Sequence, residues 1–155
     1  MTYRIEGLKR GDFEHFFAMT DTRLAEHGAL RVKAGTDKGW PCRISLEDAR
    51  ADETLILINH ISHDVATPYR SAYAIYVREN ADTPARYVDE TPPVFEGCPM
   101  AFRAFDKGGM LRNAALALPG QADAKIRELF ESDDIAYIHA HNAAHGCFVA
   151  KVERA

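Results

Sequence analysis

The most restrictive stretch of this chain is its C-terminal end. There, Ile135-Ala-Tyr-Ile-His-Ala-His141 and Cys147-Phe-Val-Ala-Lys-Val-Glu153 flank the turn-like Asn142-Ala-Ala-His-Gly146. Both arms alternate with period two and are rich in β-branched and aromatic residues, so the spacing predicts a β-hairpin. Placing His141 opposite Cys147 sets His139 against Val149, Tyr137 against Lys151 and Ile135 against Glu153. Directly opposed residues share a face, so one face then carries only Ala136, Ile138, Ala140, Phe148, Ala150 and Val152. A slip of one residue would mix the histidines into that apolar set, and burial therefore selects this register. Tyr137, His139, His141, Cys147 and Lys151 project together from the opposite face. They are the densest group of chemically capable side chains in the sequence.

The composition narrows what such a group could serve. At 155 residues, 46% hydrophobic and 27% charged, the chain fits a single domain, 1–155, with a core large enough to need no covalent staples. Its net charge of −4 is small and dispersed, and no Lys/Arg cluster offers a footprint for nucleic acid. The opening Met1-Thr-Tyr-Arg-Ile-Glu6 lacks the apolar core of a secretory signal. No run approaches the roughly 18 apolar residues of a membrane span. Cys42, Cys98 and Cys147 are widely spaced and odd in number, which fits reduced thiols rather than a disulfide framework. The expectation is a cytoplasmic chain with neither nucleic acid nor membrane as partner.

Along the chain, Tyr3–Gly7 reads as a short strand. Asp12 stands where a helix cap would precede Phe13, Phe16 and Phe17, which share one helical face. A second helical piece, Thr20–His27, ends at Gly28, and Ala29–Lys33 is a further strand. The run Thr54-Leu-Ile-Leu-Ile-Asn59 reads as a buried central strand, with His60 and His63 in the loop after it. Thr67-Pro-Tyr-Arg70 is a turn into the strand Ala72–Val77, and a short extended piece surrounds Tyr87-Val88. Met100–Phe105 and Met110–Leu118 form another hairpin around Gly108-Gly109. Gln121–Ser132 is the clearest helix, with Ala122, Ile126, Leu129 and Phe130 on one stripe. Hairpins with few helices predict an α+β fold: one domain, mainly antiparallel sheet, helices packed on one face. Its core is expected to hold Leu55, Leu57, Ile126, Leu129, Ile138, Phe148 and Val152.

The segment Trp40-Pro-Cys-Arg-Ile-Ser-Leu-Glu-Asp-Ala-Arg50 is unusual in composition. Cys42 is a candidate thiol nucleophile beside Arg43, and Arg43 a candidate two-pronged grip on a carboxylate or phosphate. The alternative packs Trp40 and Cys42 under a loop and pairs Arg43 with Glu47 or Asp48. Ser45 and Asp48 have the spacing of a helix cap, so a short turn is expected there.

Pro41-Cys42-Arg43 with Leu46-Glu47-Asp48-Ala49, Pro68-Tyr69-Arg70 before a strand, and Gly146-Cys147-Phe148 near the end form an ordered set of short motifs. Together they resemble the bacterial family known as domain of unknown function 1203, from about Pro41 onward. The resemblance implies no assigned activity and no catalytic set. Gly146-Cys147 belongs to its pattern, whereas His139-x-His141 does not.

Three functional readings follow, and whether the chain is an enzyme stays open among them. The leading one is a pocket for a small molecule or anion lined by Cys42, Arg43, Arg70, Tyr137, His139, His141 and Cys147, with no cofactor. A second is a zinc-type site on His139, His141, His145 and Cys147, since side chains two apart on a strand point the same way. Against it stands a plain polar face whose histidines hydrogen-bond Tyr137, Asn142 or solvent. The third is a homodimer or other protein interface seated on the aromatic-rich face around Tyr137. The pocket calls for a thiol that reacts faster than free cysteine, the metal site for stoichiometric metal, and the interface for a stable oligomer.

Overall fold

In the computed structural model, which describes residues 1–155, the alternating segments pair as two antiparallel sheets. The first half of the chain forms β1 (Tyr3–Glu6), α1 (Glu14–Phe17), α2 (Asp21–Glu26), β2 (Leu30–Lys33), β3 (Thr54–His63) and β4 (Ser71–Arg78). The second half forms β5 (Arg86–Val88), β6 (Met100–Phe105), β7 (Leu111–Ala117), α3 (Ala122–Leu129), β8 (Tyr137–Asn142) and β9 (Phe148–Arg154). A six-stranded sheet runs β5-β1-β9-β8-β6-β7, and a three-stranded one runs β2-β3-β4. The architecture is α+β on a mainly antiparallel framework, as the hairpin spacing predicts.

Each sheet has its own apolar core. Ile126 and Leu129 of α3, with Phe130 beyond it, pack on Tyr3, Ile5, Phe102, Ile138 and Val152 of the large sheet. A side chain buried this fully contributes about 1.5–3 kcal/mol. On the small sheet, Ile56, Ile58, Ile75 and Val77 close over Phe13, Leu24, Cys42 and Ile44. Around β6, β8 and the start of β9, the second face of the large sheet is covered by the small one. His63 of β3 packs on Phe105 and His139, and Tyr73 of β4 packs on His141.

The terminal hairpin departs from the expected register. Tyr137 pairs with Glu153 and His139 with Lys151, a displacement of two residues that leaves these side chains on their expected faces. The ladder is then bulged between Ala140 and His141, so His141 opposes Phe148 and not Cys147. Phe148 turns onto the histidine face, 5.1 Å from the His139 ring and 5.9 Å from that of His141. Val149 joins Ala150 in the core under α3 instead. The reason is that both faces of this sheet are covered. Polarity no longer ties either apolar residue to one side, and a bulge is free to exchange them.

Four other expectations change. His60 and His63 lie in β3, not in a loop, because β4 pairs along its length; the register shifts between Ile61 and His63. Asp12 ends a single 3-10 turn, and Phe13 takes the cap position of α1 without a side-chain bond. Ser45–Asp48 forms no helical turn. Asp48 instead bridges back to Pro41, and its Oδ1 accepts the Trp40 N–H at 3.0 Å. Leu57 is only half-buried and faces a cavity, while Leu55 is fully enclosed.

Phe148 is 2% exposed and fills space between the sheets. Phe148→Ala should therefore cost about 3–5 kcal/mol, the range for a buried aromatic truncation, read as a lower urea midpoint at unchanged slope. An unchanged midpoint would remove Phe148 from the interior.

Candidate functional site

The face of β8 that carries Tyr137, His139 and His141 is an internal layer. His139 and His141 are 3% and 2% exposed, and His63 is 3% exposed beside them. The Tyr69 carbonyl lies 2.8 Å from His63 Nδ1, and a carbonyl only accepts, so Nδ1 carries the proton. His63 Nε2 is hydrogen-bonded to the Tyr137 hydroxyl at 2.6 Å. By the same logic His141 donates Nδ1–H to the Gly146 carbonyl at 2.9 Å. Arg103 of β6 donates to the Tyr73 hydroxyl at 2.7 Å. The bonds to Tyr137 and Tyr73 tie β3 and β4 to the large sheet.

Burial holds both β8 imidazoles neutral. It pulls the pKa of His139 down to about 3, helped by the surrounding basic groups His63, His141, Lys151 and Arg103. It pulls that of His141 down to about 4, against the favourable bond to Gly146. No set of three or more His, Cys, Asp or Glu side chains converges as a metal ion would require. The bulge explains why: it opposes His141 with Phe148, and the His139 and His141 ring centroids are 6.4 Å apart. The aromatic face around Tyr137 is covered by the chain's own small sheet.

The open site lies on the other side of the bulge. A cavity of about 530 Å³ is lined by Pro41, Arg43 and Asp48 from the Trp40–Arg50 segment and by Leu57, Ala74 and Tyr76 from the small sheet. Val94, Gly97 and Cys98 close a second wall, and Asn142, His145, Cys147 and Val149 of the terminal hairpin a third. Lys38 stands exposed at the margin.

Arg43 sets the character of this cavity. It is 3% exposed, yet no carboxylate pairs with it, neither Glu47 nor Asp48. Its Nε donates to the Phe148 carbonyl at 2.8 Å and its Nη1 to the Pro41 carbonyl at 2.5 Å. The rest of its planar N–H fork has no protein partner. Burial lowers its pKa, while Cys147, Cys42, Tyr76 and Asp48 favour its charge.

Of the residues expected to share a site, Arg43 and Cys147 do so, and His145 joins them on the wall. Cys42 does not. It is fully enclosed in the small-sheet core, with its Sγ accepting the Ile44 and Arg78 N–H groups at 3.4 and 3.2 Å. Arg70 is on the surface, paired with Asp64 at 2.9 Å. Tyr137, His139 and His141 belong to the closed layer. Cys98 is the addition: Asn142 Nδ2 donates to its Sγ at 3.4 Å, and burial, then Asp48, pushes its thiol pKa up. It carries the same signal as Cys42 and Cys147, a cysteine abutting Pro or Gly where a loop meets a strand.

A family model described as protein of unknown function (DUF1203) matches residues 39–154. The chain belongs to DUF1203. The match takes in every residue of the cavity wall except Lys38. Neither the curated proteins nor the solved structures give a match to this DUF1203 chain. No helix in it is long and apolar enough to cross a membrane.

The neutral histidines of this DUF1203 protein should make it acid-sensitive. Their folded pKa values, about 3 and 4, lie below the ordinary 6.5, so the unfolded chain takes up protons first. Stability is fully present above pH 6.5 and falls as pH drops toward 4, by about 1.4 kcal/mol per pH unit for each ring. His60, half-buried on Phe13, shifts the same way. Between about pH 6.5 and 5.5 carboxylates stay largely ionised in both states, so urea midpoints in that window isolate the imidazoles. His139→Gln should remove one proton from the slope, and a flat wild-type profile would contradict the buried layer.

Proposed function

We propose that this protein binds a small organic anion in the cavity beside the terminal hairpin. The observation that carries the reading is Arg43, a buried guanidinium with no carboxylate partner in the wall of a space of about 530 Å³. Taking an arginine out of water costs several kcal/mol unless its charge is met. Two carbonyls meet part of that cost, and they also aim the fork. A carboxylate or phosphate oxygen placed against the remaining donors would complete it with charge-assisted, two-pronged bonds.

The surroundings set the ligand's shape. The volume falls within the range of small-molecule sites, and Leu57, Ala74, Pro93, Val94 and Val149 give it an apolar body. Lys38 at the margin adds positive charge. Asp48 subtracts some, although one of its oxygens is already held by the Trp40 N–H. A compact anion, with an acidic group for Arg43 and at most a short apolar stretch, fits this distribution best.

The test compares succinate and inorganic phosphate with neutral succinamide in thermal unfolding and titration calorimetry. An anion that binds the native state must raise its stability with concentration. A saturable rise with either anion, absent with succinamide, is expected. Arg43→Lys, which keeps the charge but loses the fork, should weaken binding by about tenfold or more. Lys38→Ala should weaken it less, since an exposed charge is screened. Equal response to succinamide, or none to either anion, would end this reading.

A further inference from the structure

Two of the three cysteines border the same cavity, on either side of Asn142. Asn142 Nδ2 donates to Cys98 Sγ at 3.4 Å, and the Asn142 N–H donates to the Cys147 carbonyl at 2.9 Å. They differ in setting. Cys98 is held by that side-chain bond, whereas the only bond of Cys147 Sγ is a long one, 3.9 Å to the His145 carbonyl. Cys147 is also next in sequence to Phe148, whose carbonyl fixes Arg43 Nε at 2.8 Å. The hydrogen bond that aims the buried guanidinium therefore also fixes its place relative to a half-buried, accessible thiol.

We infer that Cys147 is a covalent attachment point in this cavity, forming mixed disulfides with small disulfides that carry a carboxylate. The inference rests on the anion-binding reading of Arg43 and adds to it the reacting group and the ligand class. The carboxylate docks on the free donors of Arg43, which brings the S–S bond along the wall to Cys147. Cys147 loses its proton to solvent, and its thiolate attacks one sulfur of the bound disulfide. The ligand's S–S bond breaks and a new one forms to Sγ. The other half leaves as a thiolate with the electron pair. The incoming disulfide is the oxidant, so nothing further is consumed. Cys42, enclosed in the small-sheet core, takes no part.

The experiment follows adduct formation on the reduced protein by intact mass and peptide mapping. Dithiodiglycolate, a dicarboxylate disulfide, is compared with bis(hydroxyethyl) disulfide, its neutral counterpart of similar size. Each rate is divided by that of the same reagent with a neutral cysteine amide, which removes intrinsic reactivity. The expected result is a preference of about tenfold for the acid at Cys147, the worth of one charge-assisted contact. Succinate should protect against it, and Cys147→Ser should abolish the adduct. Equal normalised rates, or an adduct on Cys98 with Cys147 still reduced, would overturn the inference. If succinate stabilises the protein but the acid shows no preference, the covalent step falls and the anion site stands. If neither succinate nor inorganic phosphate stabilises the protein or protects the thiol, the anion site has fallen and the attachment point falls with it.

Discussion

The hydrogen bond from Arg43 to the Phe148 carbonyl joins the parts of this molecule that bear on its chemistry. It connects the Trp40–Arg50 segment, which has little regular structure, to the point where the terminal hairpin departs from simple pairing. A bulge leaves strand carbonyls without ladder partners, and a buried carbonyl must find a donor. Arginine is suited to this, because its planar fork can satisfy one carbonyl and still present other donors in a fixed plane. The cavity wall is thus assembled from a structural contact whose unused half faces open space.

On the opposite side of the same bulge the chemistry is quiet. Imidazoles pack there as aromatic bodies, with the rings of His63, Phe105, Tyr137 and His139 in contact and Phe148 against His139. Their nitrogens meet a tyrosine hydroxyl or backbone carbonyls where bonds form. The layer joins two sheets that otherwise have separate cores. Polar groups that bond across the layer fix how the sheets sit on each other, which a purely apolar interface does less uniquely.

The fold was largely legible because alternation is local. β6, β7 and the two terminal arms can be read from period two, and α3 from the stripe of Ala122, Ile126 and Leu129. What could not be read depends on partners distant in sequence. Whether Phe148 or Val149 turns toward the histidines is invisible when both are apolar and both faces are covered. His63 looked like a loop residue because β4, which extends its strand, lies beyond a turn. The cavity draws on five separate stretches of chain, so Cys98 and Asn142 could not be placed beside Arg43 by spacing. Nor does a sequence show that Arg43 goes without Glu47 or Asp48, since proximity along the chain suggests the opposite. Cys42 and Cys147 carried one local signal and went to different environments.

β1 occupies an inner position of the six-stranded sheet, between β5 and β9, although it lies ahead of the stretch that the family model matches. Its pairing with β9 joins opposite ends of the described chain, and the Ala155 N–H reaches the Thr2 carbonyl at 2.9 Å. During synthesis, then, β1 must wait with one edge bare until β9 has emerged. Such long-range closure is slow, and an unpaired strand in a nascent chain is a target for chaperones or for a neighbouring copy. A chain begun at residue 39 would never close that gap. It would leave β5 and β9 as two facing, unfilled edges, so the stretch that the family model matches is smaller than the sheet it belongs to.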